Sequence, residues 1–168
     1  DLAVIGDATK ILEALIAEMK KRKFKPHKTS LDKWWSQIEV WRKRDCLRFN
    51  QTGSTIKPQH AIKRLCEMTV ERDVYVTTEV GQHQMWAAQY FDFHLPNRWM
   101  TSGGLGTMGY GLPAALGVQV AHPGATVIDI AGEASFMMNM QELSTLSQYN
   151  LPVKMFIINN EWMGMVRQ

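Results

Sequence analysis

The chain has 168 residues, of which 45% are hydrophobic and 21% are charged, and it contains 12 glycines and 6 prolines. This composition is that of an ordinary globular protein, and it excludes collagen-like, low-complexity and intrinsically disordered classes. The apolar runs break within about eight residues, whereas a membrane-spanning helix needs roughly 20, so no membrane partner is expected. Because the chain opens on an apolar run with no basic segment before it, no export signal is expected and a cytoplasmic location is predicted.

The net charge of +3 does not indicate a nucleic-acid partner. Six of the 19 basic side chains fall in one run between residues 20 and 28. Without this run, the chain has 13 basic and 16 acidic side chains. A nucleic-acid-binding protein usually spreads basic residues over a face that also carries aromatic residues. We therefore interpret the run, which contains Pro26, as a solvated linker. Cys46 and Cys66 form no C-x-x-C pair, which predicts neither a disulfide framework nor a zinc site.

The first third of the chain predicts one strand and two helices. Leu2–Ile5 is a short apolar run typical of a strand, and Asp7 is placed to cap a helix whose apolar residues recur at helical spacing up to Met19. A second helix carries an apolar stripe between residues 31 and 41, with Ser30 as its expected N-cap.

From Lys57 onward, helical and strand patterns alternate. The expected helices lie near 58–71, 84–90, 108–121 and 136–149, and the expected strands lie at 74–78, 98–101, 126–131 and 153–158. Strands such as 127–131 read as nearly continuous apolar runs, which is typical of a parallel sheet covered on both faces. The pattern predicts an α/β fold with a doubly wound parallel sheet flanked by helices.

In such a fold, ligands bind beyond the carboxyl ends of the strands. Four loops follow the predicted strands, at residues 79–83, 102–109, 132–135 and 159–160. The second loop contains G-x-G-x-x-G through Gly104, Gly106 and Gly109, and Glu133 ends the next strand 24 residues later. Glycines before a helix can expose amides to a phosphate, so one hypothesis is a nicotinamide-dependent oxidoreductase.

The other hypothesis uses several loops together. Glu133 and Asn160, at the ends of neighbouring strands, would offer two oxygen ligands to Mg²⁺, and the ion would hold a diphosphate. Ser135, at the start of its helix, could add a phosphate contact.

These loops carry a recognisable motif. The run Gly132-Glu133-Ala134-Ser135, followed by Asn159-Asn160, resembles the G-D-G…N-N motif of thiamine-diphosphate enzymes. Residues 79–89, 101–116 and 163–168 look specifically like the acetohydroxyacid synthase (acetolactate synthase) catalytic subunit, and the resemblance extends over essentially the whole chain.

The resemblance implies a three-part organisation. Residues 1–23 would be the end of the family's middle domain, 24–56 a linker with a helix, and 57–168 a C-terminal diphosphate-binding domain truncated at its C-terminal end. The family's site lies between subunits, which implies a homodimer or tetramer, with a small regulatory subunit as a possible partner. The cofactors implied are thiamine diphosphate and Mg²⁺, with FAD bound mainly by the middle domain of the full-length enzyme.

The resemblance also implies a role for individual residues. Glu133, Asn160 and the backbone carbonyl of Trp162 would ligate Mg²⁺. The cofactor-binding residues would be Gln82, His83, Ser135 and Gly164 along the diphosphate, Val80, Gly106, Met108 and Met165 around the two rings, and Gly81 and Ala134 in the same loops.

Glu133 stands where the family motif has Asp, which keeps the charge but lengthens the side chain by one methylene. We expect Glu133 to bind Mg²⁺ still, through a shifted loop helped by the small Ala134.

The reaction implied is decarboxylation of pyruvate followed by condensation of the two-carbon unit with pyruvate or 2-oxobutyrate, a step of branched-chain amino acid synthesis. The family's general acid-base glutamate lies in an N-terminal domain, so no catalytic residue is assigned in this chain and the chain alone is expected to be inactive. Another thiamine-diphosphate-dependent 2-oxo acid decarboxylase or oxidase, and the nicotinamide enzyme, remain as alternatives.

Overall fold

The computed structural model describes residues 2–167. Asp1 and Gln168, where the predicted segments 1–23 and 57–168 begin and end, lie outside the described residues. The chain divides into two compact units between Arg48 and Phe49. The assignment of residues 1–23 to a middle domain and of 24–56 to a linker stays a prediction.

The first unit contains two helices, α1 (Ala8–Lys21) and α2 (Lys28–Arg42). The Lys10 N–H donates to Asp7 Oδ1 at 3.1 Å, which confirms the predicted cap of α1. Neither helix has a buried residue, so the apolar stripes of both helices are exposed in this chain.

Two sequence predictions in this unit are wrong. Residues 2–5 form no strand, and Ile5 is 97% exposed. A strand needs a neighbouring strand to satisfy its amides and carbonyls, and none of the described strands pairs with this run. Helix α2 begins at Lys28, so His27 is the N-cap and Ser30 lies inside the first turn.

The second unit alternates helices and strands, as predicted. Its helices are α3 (Pro58–Thr69), α4 (Gln82–Tyr90), α5 (Gly111–Ala121), α6 (Glu133–Met137), α7 (Leu143–Gln148) and α8 (Gly164–Arg167), with a 3₁₀ turn at Met140–Glu142. Its strands are β1 (Val74–Thr78), β2 (Trp99–Thr101), β3 (Thr126–Gly132) and β4 (Lys154–Ile158). Within residues 2–167, no helix has both the length and the apolar character needed to cross a bilayer.

The four strands form one parallel sheet in the order β2-β1-β3-β4, which confirms the predicted fold class. The chain runs outward from β1 to the edge strand β2, then crosses back to β3 and continues outward to β4. The connections after β1 and after β3 therefore run in opposite directions. A doubly wound sheet leaves a crevice at such a point, beyond the carboxyl ends of the two strands.

Alternating strand residues build a core on each face of the sheet. Val76, Ile128 and Ile130 pack with Ile62 of α3 and Ala87 of α4 on one face. On the other face, Val127 packs with residues of α5, of α7 and of the segment just before β4, namely Leu112, Ala115, Leu146 and Val153. Because both faces are covered, the apolar runs of the central strands are explained.

Two predicted helices are shorter than their sequence pattern suggests. Helix α5 begins at Gly111 instead of residue 108, because Gly109 has φ +91° and ends the preceding loop. The predicted helix 136–149 is divided into α6, the 3₁₀ turn and α7, because Asn139 has non-helical angles of φ −135° and ψ 27°. Hydrophobic spacing continues through both breaks and therefore did not indicate them.

Two glycines of α5 provide a matched test of packing. A Cβ at Gly111 would overlap Asp129 Oδ1 and lie 2.7 Å from the Glu79 nitrogen, whereas a Cβ at Gly117 would meet nothing within 4 Å. We expect Gly111→Ala to lower the free energy of unfolding by about 3 kcal/mol. Gly117→Ala should raise it by about 0.5–1 kcal/mol, because alanine loses less backbone entropy in a helix. Urea unfolding of both variants measures the difference, and equal effects would contradict this account of the α5 contact.

Candidate cofactor site

An open pocket with about 460 Å³ of empty space lies where the crevice is expected. Its walls come from the loop and helix start after β1, from α6 after β3, and from the segment after β4. Met108, from the glycine loop after β2, completes the lining. The four loops selected from the sequence therefore meet at one edge of the sheet.

Twelve of the thirteen residues predicted for the site line this pocket: Val80, Gly81, Gln82, His83, Met108, Glu133, Ala134, Ser135, Asn160, Trp162, Gly164 and Met165. Gly106 does not line it. Gly106 is exposed, and a Cβ there would lie 3.7 Å from the side chain of Val80, so Gly106 lies next to a lining residue. The structure brings the residues together, and their contacts with a cofactor stay predictions.

The lining also includes residues to which the sequence analysis assigned no role: Trp86, Ile158, Met163 and Val166. Trp86 and Met163 belong to segments that carry the resemblance, but their apolar side chains were not distinguishable from core residues.

His83 is a buried polar side chain of the pocket, with 6% of its surface exposed. A Cβ at Gly81 would lie 2.8 Å from its Cε1, and a Cβ at Gly132 would lie 2.7 Å from its Nδ1. Both glycines are therefore required for the ring to fit. Gly81 also has φ +155°, an angle that residues with a Cβ rarely adopt.

Burial lowers the pKa of His83 to about 4, and a hydrogen bond with the Glu79 backbone and the charge of Glu133 oppose this only in part. The imidazole is therefore neutral at neutral pH. Its Nε2 atom is buried and has no hydrogen-bond partner within the described part of the chain. A buried polar atom of this kind normally has a partner, so Nε2 is suited to a bound ligand.

The segment after β4 presents two consecutive amide side chains. Asn159 Oδ1 accepts from the Glu161 N–H at 2.9 Å, and Asn160 Oδ1 accepts from the Trp162 N–H at 3.1 Å. These bonds fold the segment back toward the pocket and orient the Asn160 amide. The Arg167 guanidinium stacks on the Trp162 ring, 3.5 Å from its centroid, and steadies the segment further.

Glu133 and Gln82 complete the polar wall. Glu133 is the first residue of α6 and is partly buried, and its charge acts on His83. A Cβ at Gly164 would overlap the Gln82 amide, so this glycine lets α8 approach the start of α4 closely. A carboxylate, an amide oxygen and a backbone carbonyl are oxygen donors of the type that Mg²⁺ prefers. Among residues 2–167, no three His, Cys, Asp or Glu side chains cluster as a metal site.

Glu79 binds backbone amides that a dinucleotide site in the glycine loop would need. Its carboxylate is fully buried and accepts from the Gly109 N–H at 2.7 Å and from the Leu112 N–H at 3.0 Å. The amides at the start of α5 are thus already bonded to an anionic group of the chain. A phosphate would need these same amides, so the structure disfavours the nicotinamide hypothesis.

Asp129 lies beside Glu79, and the sequence patterns predicted no role for either residue. It is fully buried, and its Oδ1 accepts from Thr77 Oγ1 at 3.1 Å. Burial, reinforced by the charge of Glu79, raises the pKa of Asp129 to about 7. The pKa of Glu79 is also raised by burial, against the lowering effect of the α5 amides. The sequence did offer a signal for Asp129, because an acidic residue inside an apolar run covered on both faces is costly to bury and needs a specific environment.

The shifted pKa of Asp129 predicts a pH dependence of stability. Between its ordinary value of 3.8 and about 7, the folded chain binds the proton more tightly than the unfolded chain. The free energy of unfolding that Asp129 contributes therefore falls as the pH rises through this range. Asp129→Asn should remove this decrease in the free energy of unfolding, because asparagine does not titrate.

The difference in unfolding free energy, wild type minus Asp129→Asn, should fall by about 1.4 kcal/mol per pH unit within this range. Urea unfolding of both proteins at several pH values measures it, and the contribution of His83 cancels because both contain it. A difference that does not change with pH would contradict the assignment.

The sequence matches a known family over residues 79–168, which is more than half of the chain. The family is described as thiamine pyrophosphate enzyme, C-terminal TPP binding domain. The chain therefore belongs to the thiamine-diphosphate enzymes and contains their C-terminal cofactor-binding domain.

Its relatives are named as one kind of enzyme within that class. The chain is 48% identical over 168 residues to the acetolactate synthase isozyme 3 large subunit of Escherichia coli K12. It is 49% identical to the acetolactate synthase large subunit of Buchnera aphidicola from Schizaphis graminum and 46% identical to that of Porphyra purpurea. The matches cover 99–100% of this chain but only 28–29% of each relative, so the chain spans less than a third of their length. The resemblance inferred from the motifs is confirmed.

Proposed function

We propose that this chain is the part of an acetolactate synthase catalytic subunit that binds the diphosphate of thiamine diphosphate through Mg²⁺. The observation that carries the proposal is the pocket at the crevice, where the polar residues after β1, β3 and β4 converge. The names of the relatives favour acetolactate synthase over another thiamine-diphosphate-dependent decarboxylase or oxidase.

The chemistry of the pocket fits the cofactor. His83 Nε2 is a buried polar atom without a partner among residues 2–167, and a diphosphate would supply one. Its negative charge would also raise the pKa of His83 and favour an N–H that donates to it. Gly81 and Gly132 leave room for the His83 ring, and Gly164 leaves room for the Gln82 amide, so both polar side chains can lie in the pocket.

Different residues of the chain would bind the metal ion, the diphosphate and the two rings of the cofactor. Glu133, Asn160 and the Trp162 carbonyl would hold Mg²⁺, and Gln82, His83, Ser135 and Gly164 would lie along the diphosphate. Val80, Met108 and Met165 would pack their apolar side chains against the two rings and exclude water from them. Thiamine diphosphate supplies the electron sink for 2-oxo acid decarboxylation.

Other functions would come from the rest of the protein. A pyrimidine-binding domain of a partner subunit would provide the general acid-base glutamate, and a middle domain would bind FAD. A homodimer or tetramer is proposed on this ground, with a small regulatory subunit as a further partner and with pyruvate and 2-oxobutyrate as substrates. A cytoplasmic location stays a prediction.

The metal ligands can be tested by cofactor binding to the 168-residue chain, measured by isothermal titration calorimetry with and without Mg²⁺. Thiamine diphosphate should bind only with Mg²⁺, and NADH should not bind. Glu133→Gln should weaken Mg²⁺-dependent binding at least about tenfold, because an amide replaces the anionic ligand. Glu133→Asp should bind at least as tightly as the parent, because it restores the shorter side chain of the family motif.

The matched control is Glu71→Gln, which removes the same charge at an exposed position outside the pocket. It should bind like the parent. Unchanged binding by Glu133→Gln would show that Glu133 does not ligate the metal, and NADH binding without Mg²⁺ would favour the nicotinamide hypothesis.

The reaction can be tested by comparing two lengths of chain. With pyruvate, thiamine diphosphate, Mg²⁺ and FAD, the 168-residue chain should form no acetolactate, because the acid-base glutamate is absent. A protein extended through its flanking gene sequence to the length of the relatives should form it. Acetolactate from the short chain would contradict the proposed division of the site. Acetaldehyde or acetate as the sole product of the extended protein would indicate a decarboxylase or oxidase.

A further inference from the structure

Both backbone polar groups of Gly109 are hydrogen-bonded to side chains. Its N–H donates to Glu79 Oε2 at 2.7 Å, and its carbonyl accepts from Asn139 Nδ2, also at 2.7 Å. Gly109 is buried with φ +91°, and a Cβ there would lie 2.7 Å from Asn139 Nδ2 and 2.9 Å from Met138 Cβ. This position therefore requires glycine, and the two hydrogen bonds fix the backbone on both sides of its Cα.

The two groups that hold Gly109 belong to different walls of the pocket. Glu79 follows β1 and directly precedes Val80, which lines the pocket. Asn139 follows α6, the helix that begins with Glu133. Met108 directly precedes Gly109 in the chain, so these two bonds tie the backbone next to Met108 to both walls.

The side chain of Asn139 is itself oriented. Its Oδ1 accepts from Gln141 Nε2 at 2.9 Å, which leaves Nδ2 to donate to the Gly109 carbonyl. Its backbone carbonyl accepts from the Glu142 N–H at 3.1 Å. The break in the helix at Asn139 thus has a structural role, because a helical residue would not turn this amide toward the glycine loop.

We propose that Glu79 and Asn139 are positioning residues that clamp the Gly109 backbone, one at its N–H and the other at its carbonyl, and so determine how Met108 projects into the cofactor pocket. The effect on cofactor binding rests on the proposed function, whereas the clamp itself exists in the free protein. Neither residue lines the pocket, and each acts through a backbone group of Gly109.

The clamp can be tested by NMR of the 168-residue chain with ¹³C-labelled methionine methyl groups. Among the eleven methionines, the Met108 signal is assigned as the one that Met108→Leu removes. Asn139→Asp keeps the shape of the side chain but replaces the donor with an acceptor, and Asn139→Ala removes the group. Both variants should displace the Met108 methyl signal. Asn150→Asp makes the same chemical change at an exposed position and should leave the signal in place.

Two further measurements complete the test. The Gly109 and Leu112 amides should exchange slowly with deuterium in the parent chain, because Glu79 binds them, while the exposed Gly104 amide should exchange quickly. This measurement needs no variant. The Kd for thiamine diphosphate with Mg²⁺ should rise about three- to tenfold in both Asn139 variants, as expected for the loss of one hydrogen bond.

An unmoved Met108 signal in both Asn139 variants, fast exchange of the Gly109 amide, or an unchanged Kd would each overturn the proposal. If the parent chain binds no thiamine diphosphate while the Met108 signal moves, the proposed function fails and the clamp stands. If the parent binds the cofactor and the Met108 signal does not move, the clamp fails and the proposed function stands.

Discussion

The rest of the site depends on the hydrogen bonds between the buried carboxylate of Glu79 and the backbone amides at the start of α5. A carboxylate with no exposed surface would be costly unless hydrogen-bond donors surround it, and the amides at the start of α5 provide those donors. The bond fixes the glycine loop against the end of β1, which lies in the centre of the sheet. The same contact explains why Gly111 is a glycine, because a Cβ would displace the helix from Glu79 and Asp129.

The order of the strands brings together residues that are distant in the chain. Val80 and Asn160 lie 80 positions apart, yet both line one pocket. This follows from the crossover of the chain from β2 back past β1 to β3, which opens a crevice between two oppositely directed connections. Parallel strands also direct every connection that follows a strand to the same edge, so the four loops converge without contacts specific to a ligand.

The departure of this chain from the family motif lies at the polar wall of the pocket. Glu133 begins α6 and keeps the negative charge, and Ala134 adds only a methyl group where the motif has glycine. Gly81 and Gly132 leave room for the His83 ring, and Gly164 leaves room for the Gln82 amide. If Glu133 ligates Mg²⁺ as proposed, its extra methylene changes how far this carboxylate reaches.

Much of the fold could be predicted from the sequence, because local patterns reflect burial. Alternating helical and strand patterns indicated the four strands, and nearly continuous apolar runs in the later strands indicated their parallel arrangement. The candidate site residues were predicted by motif, because the chemistry of diphosphate and Mg²⁺ calls for particular residue types after the strands. Only Gly106 of that set lies outside the pocket, since the sequence shows that a loop is near but not which of its residues face inward.

Some features of the chain depend on contacts between distant segments and could not be predicted from local sequence patterns. Whether residues 2–5 form a strand depends on a neighbour, so an apolar run was not sufficient. Contacts between segments 30 or more residues apart determine the helix breaks before Gly111 and at Asn139, and they also determine which amides bind Glu79. Burial among such segments keeps His83 neutral. The sequence by itself determined the class of fold and the chemical types of the site residues, because periodicity and residue type are local. Packing decided their geometry and protonation, because these depend on the groups that the fold brings near.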